Sequence, residues 1–436
     1  MADAQWFSIL RRLRVSTLAV LLLWTLSLGA GFAHAQQPPP AVRVDLAQAI
    51  HLALTHNHVL KASQTQITQS QADEVTASLR PNPVLTWDSL FVPFFSPSQL
   101  NGAYLNNITE FDALFAYTIE RGHKRRARIR AAQDQTQVVR SEVQDNERSL
   151  TFNVAQQFIS VLLAKSTLAF AQQDLSSFQQ TLNVSEERYK KGAISEGDLL
   201  KIKLQMLQFQ ADVSSAKLAH EQALVGLRQL LGYDAVPSNY DVIGGLTYTP
   251  LHGNKEDLQA VALNLRPDLK AAKEAITAAK SNYQLAKANG KRDLTTSAGY
   301  TRVGGANNAS FIFNIEIPLF DRNQGNIAHA HAAITQSQED EIASQDAVMS
   351  DVSTAFDAVK TGEQVLQLYR SGYLKEAKDS LDISRYAYQR GAVSLLDFLD
   401  AERSYRNTQL AYRQTLAMYM LATEQLREAV GTRQLP

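Results

Sequence analysis

A mainly α-helical fold with a small β part, in two tandem helix-strand-strand-helix-helix repeats, is predicted by three features of this sequence. Glycine and proline are sparse, 20 and 12 in 436 residues, while Ala, Gln, Leu and Ser abound, a balance that suits long helices. One turn motif recurs roughly 200 residues downstream, too long a period for a solenoid and right for a duplicated half. Short alternating apolar segments sit at matching places in the two halves.

The N-terminus reads as a secretory signal over residues 1–35. Arg11, Arg12 and Arg14 precede the apolar run "VSTLAVLLLWTLSLGAGF", and Ala33-His34-Ala35 offers small residues for cleavage. An uncleaved membrane anchor is the alternative reading of that run. An extended segment, 36–44 with "QQPPPA", follows. Charges balance at 43 basic and 43 acidic residues; loss of 1–35 removes three Arg and one Asp and leaves a slightly acidic chain. No global field points to nucleic acid. Cysteine is absent, which excludes disulfides, thiolate metal sites, cysteine nucleophiles and a lipidated cysteine. No later segment offers ~18 consecutive apolar residues, the length of a spanning helix.

The first repeat is placed at 45–235 and the second at 257–432, with a linker at 236–256 and a tail at 433–436. "DLAQAIHLALTHNHVLKASQTQI" from Asp45 echoes "DLQAVALNLRPDLKAAKEAI" from Asp257, and the halves are expected to pair. "KGAISEGDLLKIK" at 191–203 repeats as "RGAVSLLDFLDAE" at 390–402. Gly192 and Gly391 suit the left-handed residue that ends a helix. Ala193 and Ala392 follow them. Ser195 and Ser394 can cap the next helix, with Asp198 and Asp397 at its third position, a variant of the capping box. Asp400 has no such role, and its counterpart in the first half is Lys201.

Strands are expected at about 83–95 and 106–119, and again at about 292–303 and 309–319. The last alternates most clearly, with Phe311, Phe313, Ile315 and Ile317 on one face and Ile312, Asn314 and Glu316 on the other. Each segment has roughly the 9–11 residues of a tilted strand crossing a bilayer. An ordinary soluble hairpin is the alternative for any one of them.

Long helices fill the rest. Lys124 to Tyr189 holds no proline and shows a seam at Phe152, Ala155, Ile159, Leu162 and Leu168. Its match runs from Asn323 to Tyr388, with Gly362 tolerated inside. At ~1.5 Å per residue such a helix is on the order of 100 Å long, too long for a globular core, so helices packed side by side are expected. Four strands cannot close alone, because the smallest membrane barrels have about eight and an open edge in lipid strands backbone groups. Two copies leave a lumen filled by side chains, whereas three give a twelve-stranded pore.

The chain resembles the TolC-like outer-membrane efflux proteins over 45–432, and within them the outer-membrane subunits of cobalt-zinc-cadmium-type cation efflux systems. The duplicated plan, "LRPNP", "IERGHKRRARI" at 119–129, "IPLFDRNQGNI" at 317–327 and the paired Gly-x-x-Ser-x-x-Asp turns carry the resemblance. Some members bear a lipid on an N-terminal cysteine, from which this chain departs. The resemblance implies a homotrimer in the outer membrane of a Gram-negative bacterium, with a twelve-stranded β-barrel and a long periplasmic α-helical barrel. It also implies a periplasmic adaptor, an inner-membrane RND-type pump, no cofactor and no catalysis. Gly192, Ala193, Ser195, Gly391, Ala392 and Ser394 match the family's tip turns, where adaptors dock. The acidic pair Asp397 and Asp400, with Asp198, matches the pore constriction. Drug efflux and protein secretion compete with metal efflux as the task.

The basic run Arg121, Lys124, Arg125, Arg126 and Arg128 stands where strand gives way to helix, and outer-membrane lipid headgroups are its expected partner. Nucleic acid is not. His56 and His58, and His329 and His331, are spaced i,i+2 and so point to different faces, which argues against a metal site. No Gly-x-Ser-x-Gly elbow or phosphate loop occurs. The reading from another class is a secreted coiled-coil binding protein without a pore; a water-soluble monomer would distinguish it.

Overall fold

The computed structural model describes residues 42–435; the expected signal peptide, 1–35, lies outside them. Both repeats open on a broken helix. In the first, α1 (Leu46–His56) begins at a capping box between Asp45 and Gln48 and gives way at Asn57 to α2 (His58–Ser78). Asn57 serves the break with both ends of its amide. Its Oδ1 accepts from the Leu60 N–H at 3.0 Å and its Nδ2 donates to the Leu230 carbonyl at 2.9 Å.

The second repeat breaks at Arg266, between α6 (Lys255–Leu265) and α7 (Pro267–Asn289). Proline at the first helical position loses no hydrogen bond and disfavours helix in the residue before it. Buried Arg266 bridges Asp268 and Asp351, the latter at 2.8 Å.

After each broken helix comes a hairpin. Strand β2 covers Val84–Leu90 and β3 Glu110–Ile119. Both are shorter than the expected 83–95 and 106–119. Phe91 turns the chain with φ 57° just before Pro93, and a short helix, α3 (Gly102–Asn107), capped by Asn101, occupies the start of the second segment. In the other repeat β5 (Leu294–Val303) and β6 (Ala306–Ile315) meet through a two-residue Gly304-Gly305 turn. Both glycines have positive φ, as a tight hairpin of this twist requires. The expected 309–319 is therefore displaced toward the turn.

The four strands form one antiparallel sheet in the order β2-β3-β5-β6, so the two repeats join along β3 and β5. A second, minimal sheet pairs β1 (Arg43–Val44) in parallel with β4 (Asp241–Val242), tying the start of the first repeat to the segment after it.

From the sheet descend the long helices. Helix α4 runs unbroken over Lys124–Lys190, turns, and returns as α5 (Glu196–Leu231). Its counterpart is not one rod. Helix α8 (Gln324–Leu368) passes through a π-turn at Tyr369–Tyr373 into α9 (Leu374–Arg390), and α10 (Leu395–Val430) returns. The interruption lies at Gly372, with φ 147°, and not at Gly362, which stays helical.

Three apolar clusters hold this wall. Val154, Phe158, Val161, Leu227 and Leu231 pack with α1 and β4 in the first repeat. Val348, Val352, Leu366, Tyr419 and Leu426 pack with α6 in the second. Phe178, Ile202, Phe209, Leu381 and Phe398 pack the two repeats together farther along. Helix α4 contains a window apolar enough by composition to cross a bilayer, with mean hydropathy 1.3. Its residues Val154, Ala155, Phe158, Val161 and Leu162 are buried in the wall instead.

Candidate functional site

At the far end of the wall the chain reverses twice, and both reversals are built alike. Gly192 and Gly391 take φ 68° and 78°, the left-handed region that frees the next N–H to fold back on the helix. Ala193 donates to the Arg188 carbonyl at 2.8 Å and Ala392 to the Ala387 carbonyl at 2.9 Å. Ser195 Oγ then accepts from the Asp198 N–H at 3.0 Å, and Ser394 Oγ from the Asp397 N–H at 3.2 Å.

The two acidic residues at the third position differ. Asp397 closes the box, accepting from the Ser394 N–H at 3.1 Å. Asp198 does not, and leans to Lys201 at 3.7 Å. Asp400, one turn farther along, is exposed and takes part in no hydrogen bond or ion pair among the described residues.

The sequence did not announce that the two reversals are joined. Arg188 Nη1 donates to the Tyr388 carbonyl at 2.7 Å and its guanidinium lies 5.0 Å from that ring. Tyr388 is buried and stacks on Phe398 at 5.3 Å, while its repeat partner Tyr189 is exposed.

A buried charged cluster stands behind the tips. Arg406 of α10 pairs with Asp174 of α4 at 2.8 Å and with Asp212 of α5, and Arg385 of α9 reaches Glu402 at 3.5 Å. Burial pushes the Glu402 carboxyl up to about 6, and the nearby Asp174 charge adds to this against the pull of Arg385. Burial raises Asp174 as well, opposed by Arg406. Asp174 falls in the stripe Phe170, Ala171, Asp174, Phe178, so a charge on an apolar helical seam was the available clue.

At the opposite end, the basic run divides. Lys124 pairs with Asp293 at 2.8 Å, and the Arg121 N–H donates to the same carboxylate at 2.9 Å. Arg128 binds Glu120 at 2.7 Å and the carbonyls of Ala77 and Leu79, and Arg125 binds that of Ser78. These cations fasten β3, α2 and β5 to one corner. They are structural first, which the sequence could not show because every partner except Glu120 is distant along the chain. Arg126 points elsewhere. Among the described residues no group of three His, Cys, Asp or Glu side chains is placed to hold a metal.

The register sorts the sheet into two faces. Leu85, Trp87, Phe111, Phe115, Tyr300, Phe311, Phe313 and Ile315 share one. Thr86, Asp88, Asp112, Thr301, Asn308 and Ser310 share the other. Trp87 is 74% exposed and Phe313 70%. Strands β2 and β6 leave an unpaired edge on each side. One apolar face, one polar face and two open edges above a wall of long helices define a segment of a membrane-crossing tube.

The chain belongs to the outer membrane efflux protein family, whose model matches residues 49–233 and 258–432. Membership makes it an efflux protein of the outer membrane and not an enzyme. Over 381 residues it is 24% identical to the cobalt-zinc-cadmium resistance protein CzcC of Cupriavidus metallidurans, spanning 87% of this chain and 88% of CzcC. It is 29% identical to the cation efflux system protein CusC of Escherichia coli, across 61% of this chain and only 60% of CusC. It also matches the pyoverdine export outer membrane protein OpmQ of Pseudomonas putida, 24% identical over 89% of this chain and 86% of OpmQ. A solved CusC structure superposes with a TM-score of 0.73 over 90% of this chain and 94% of that one, at 22% identity. The TolC-like fold and the outer-membrane location expected from the sequence are thus established, and the pore-free coiled coil is set aside.

Proposed function

We propose that this protein is the exit duct of a tripartite efflux system that passes heavy-metal cations from an inner-membrane RND-type pump, through a periplasmic adaptor, to the outside. Residues 1–35 would direct export, and repeats 45–235 and 257–432 of three copies would build the barrel. The observation that carries the cation reading is Asp400, an exposed carboxylate with no structural employment, one helical turn beyond the capped Asp397. Repeated around a three-fold axis, Asp397 and Asp400, with Asp198 beside them, would form an acidic constriction that admits cations and repels anions. The names of CzcC and CusC support the same class. Around this gate Gly192, Ala193, Ser195, Gly391, Ala392 and Ser394 present the two turns to the adaptor.

A second reading, export of an organic compound, is favoured by the match to OpmQ, which spans as much of the chain as the match to CzcC. A deletion strain separates the two. Sensitisation to Zn, Co, Cd, Ni or Cu ions, reversed by the gene, is the expected result. Unchanged metal tolerance with new sensitivity to a drug or siderophore panel would overturn the metal assignment.

A further inference from the structure

The corner beneath the sheet has an inside and an outside. Lys124 borders a hollow together with Thr118, Thr295 and Asn314, all on the polar face of the sheet. Arg126 stands two residues on, about 200° around the helix, on the side away from that hollow. There it joins a separate cleft of about 430 Å³ between the start of α4 and the end of α7.

That cleft is lined by Arg126, Arg130, Lys287 and Lys291 with Ser281 and Gln284, and by no carboxylate. Arg130 is neutralised by Asp134 at 3.0 Å, and the Ser281 hydroxyl is given to the same acid. Arg126, Lys287 and Lys291 have no ion pair among the described residues; Lys287 lies 5.0 Å from the Tyr283 ring. The floor is open because residue 122 is glycine. A Cβ there would stand 2.6 Å from Lys291 Cγ and push that side chain away. The lowest apolar rung of the sheet is close along the chain: Ile119 precedes Gly122 by three residues and Leu294 follows Lys291 by three, the two in register with each other and with Ile315.

We propose that this cleft binds the phosphodiester of a membrane phospholipid, with Arg126, Lys287 and Lys291 as its cations and the acyl chains running along that rung. Three unpaired cations from both repeats converge on one concavity, the arrangement that suits a doubly coordinated phosphate oxygen pair. The apolar rung distinguishes a lipid from free phosphate, which has nothing to place there. The cleft is complete within one copy, since α4 and α7 belong to the same chain. This narrows the headgroup role of the basic run to Arg126 and moves the rest of it to the second repeat. It rests on the outer-membrane location, not on the transported substrate.

Full-length protein purified in detergent would be given phosphatidylglycerol, or diacylglycerol lacking the phosphate, and retained lipids counted by native mass spectrometry. Phosphatidylglycerol should be held and diacylglycerol not. The variant Arg126→Gln/Lys287→Gln/Lys291→Gln should hold it about tenfold more weakly, while Lys61→Gln/Lys273→Gln/Lys280→Gln, with exposed lysines elsewhere, should hold it normally. Lys291→Gln alone, at an exposed side chain after α7, should weaken retention severalfold and guards against misfolding of the triple variant. Equal retention by wild type and both cleft variants would overturn the proposal. So would equal retention of diacylglycerol, or complete displacement by millimolar inorganic phosphate, which would make this a free-anion site.

Discussion

Arg188 reaches across from the end of α4 to the Tyr388 carbonyl at the end of α9, and lies over the same tyrosine's ring. Two contacts on one side chain thus tie the first repeat's tip to the second's. Arg188→Ala should remove a charge-assisted hydrogen bond and a cation–π contact, on the order of 1–3 kcal/mol together. The loss should be local. Limited proteolysis should cut near 186–200 and 386–396 faster, with the melting of the rest unchanged.

Glu402 makes the wall behind the tips sensitive to acid. Its carboxyl is raised to about 6 by burial and by Asp174, above an ordinary 4.5, and Asp174 is raised too. Between those values the folded chain holds a proton that the unfolded chain releases, so stability falls as pH rises through the window. Acidification from pH 7 to 5 should therefore tighten this region, by about 1 kcal/mol for Glu402. Hydrogen exchange of 170–180 and 398–410 at the two pH values measures it, and Glu402→Gln should flatten the difference.

Gly372 adopts φ 147° within the π-turn between α8 and α9. A side chain is strained there regardless of space, so Gly372→Ala should cost on the order of 1–3 kcal/mol. Thermal melting compared with Gly362→Ala gives the contrast. Gly362 is helical and its added methyl would meet Tyr419 at ordinary contact distance, the ring at 3.4 Å and Cα at 3.6 Å, so that change should be far milder.

Asp397 and Asp400 are separable. Asp397→Ala opens the capping box and should lower stability by about 1 kcal/mol. Asp400→Ala breaks no contact and should leave melting unchanged while reducing cation selectivity and divalent block in planar bilayers. Unaltered conductance in the second variant would remove Asp400 from the gate.

Local chemistry was the legible part of this molecule. The tip turns could be read because glycine, serine and aspartate act within four residues of one another. The sheet could be read because Phe311, Phe313 and Ile315 alternate. What stayed hidden depends on distant partners. Gly362 stays inside its helix as expected, packed beside Tyr419, whereas Gly372 breaks the helix without a proline to mark it. Lys124, Arg125 and Arg128 resemble a free basic surface until Asp293, Ser78 and Ala77 are brought against them. Arg266 gave half a clue, since Pro267 marks the break while Asp351 supplies the counter-charge.

Strand parity has a consequence for how copies assemble. Four strands, alternating in direction, leave β2 and β6 as antiparallel outer edges. When one copy's β6 meets the next copy's β2, the pairing is antiparallel however many copies complete the circle. The sheet is thus indifferent to head count, and the long helices beneath it must do the counting through the angle at which neighbouring walls meet. Changes at the flanks of α2 and α8, the two ends of the wall, are where a different stoichiometry would begin.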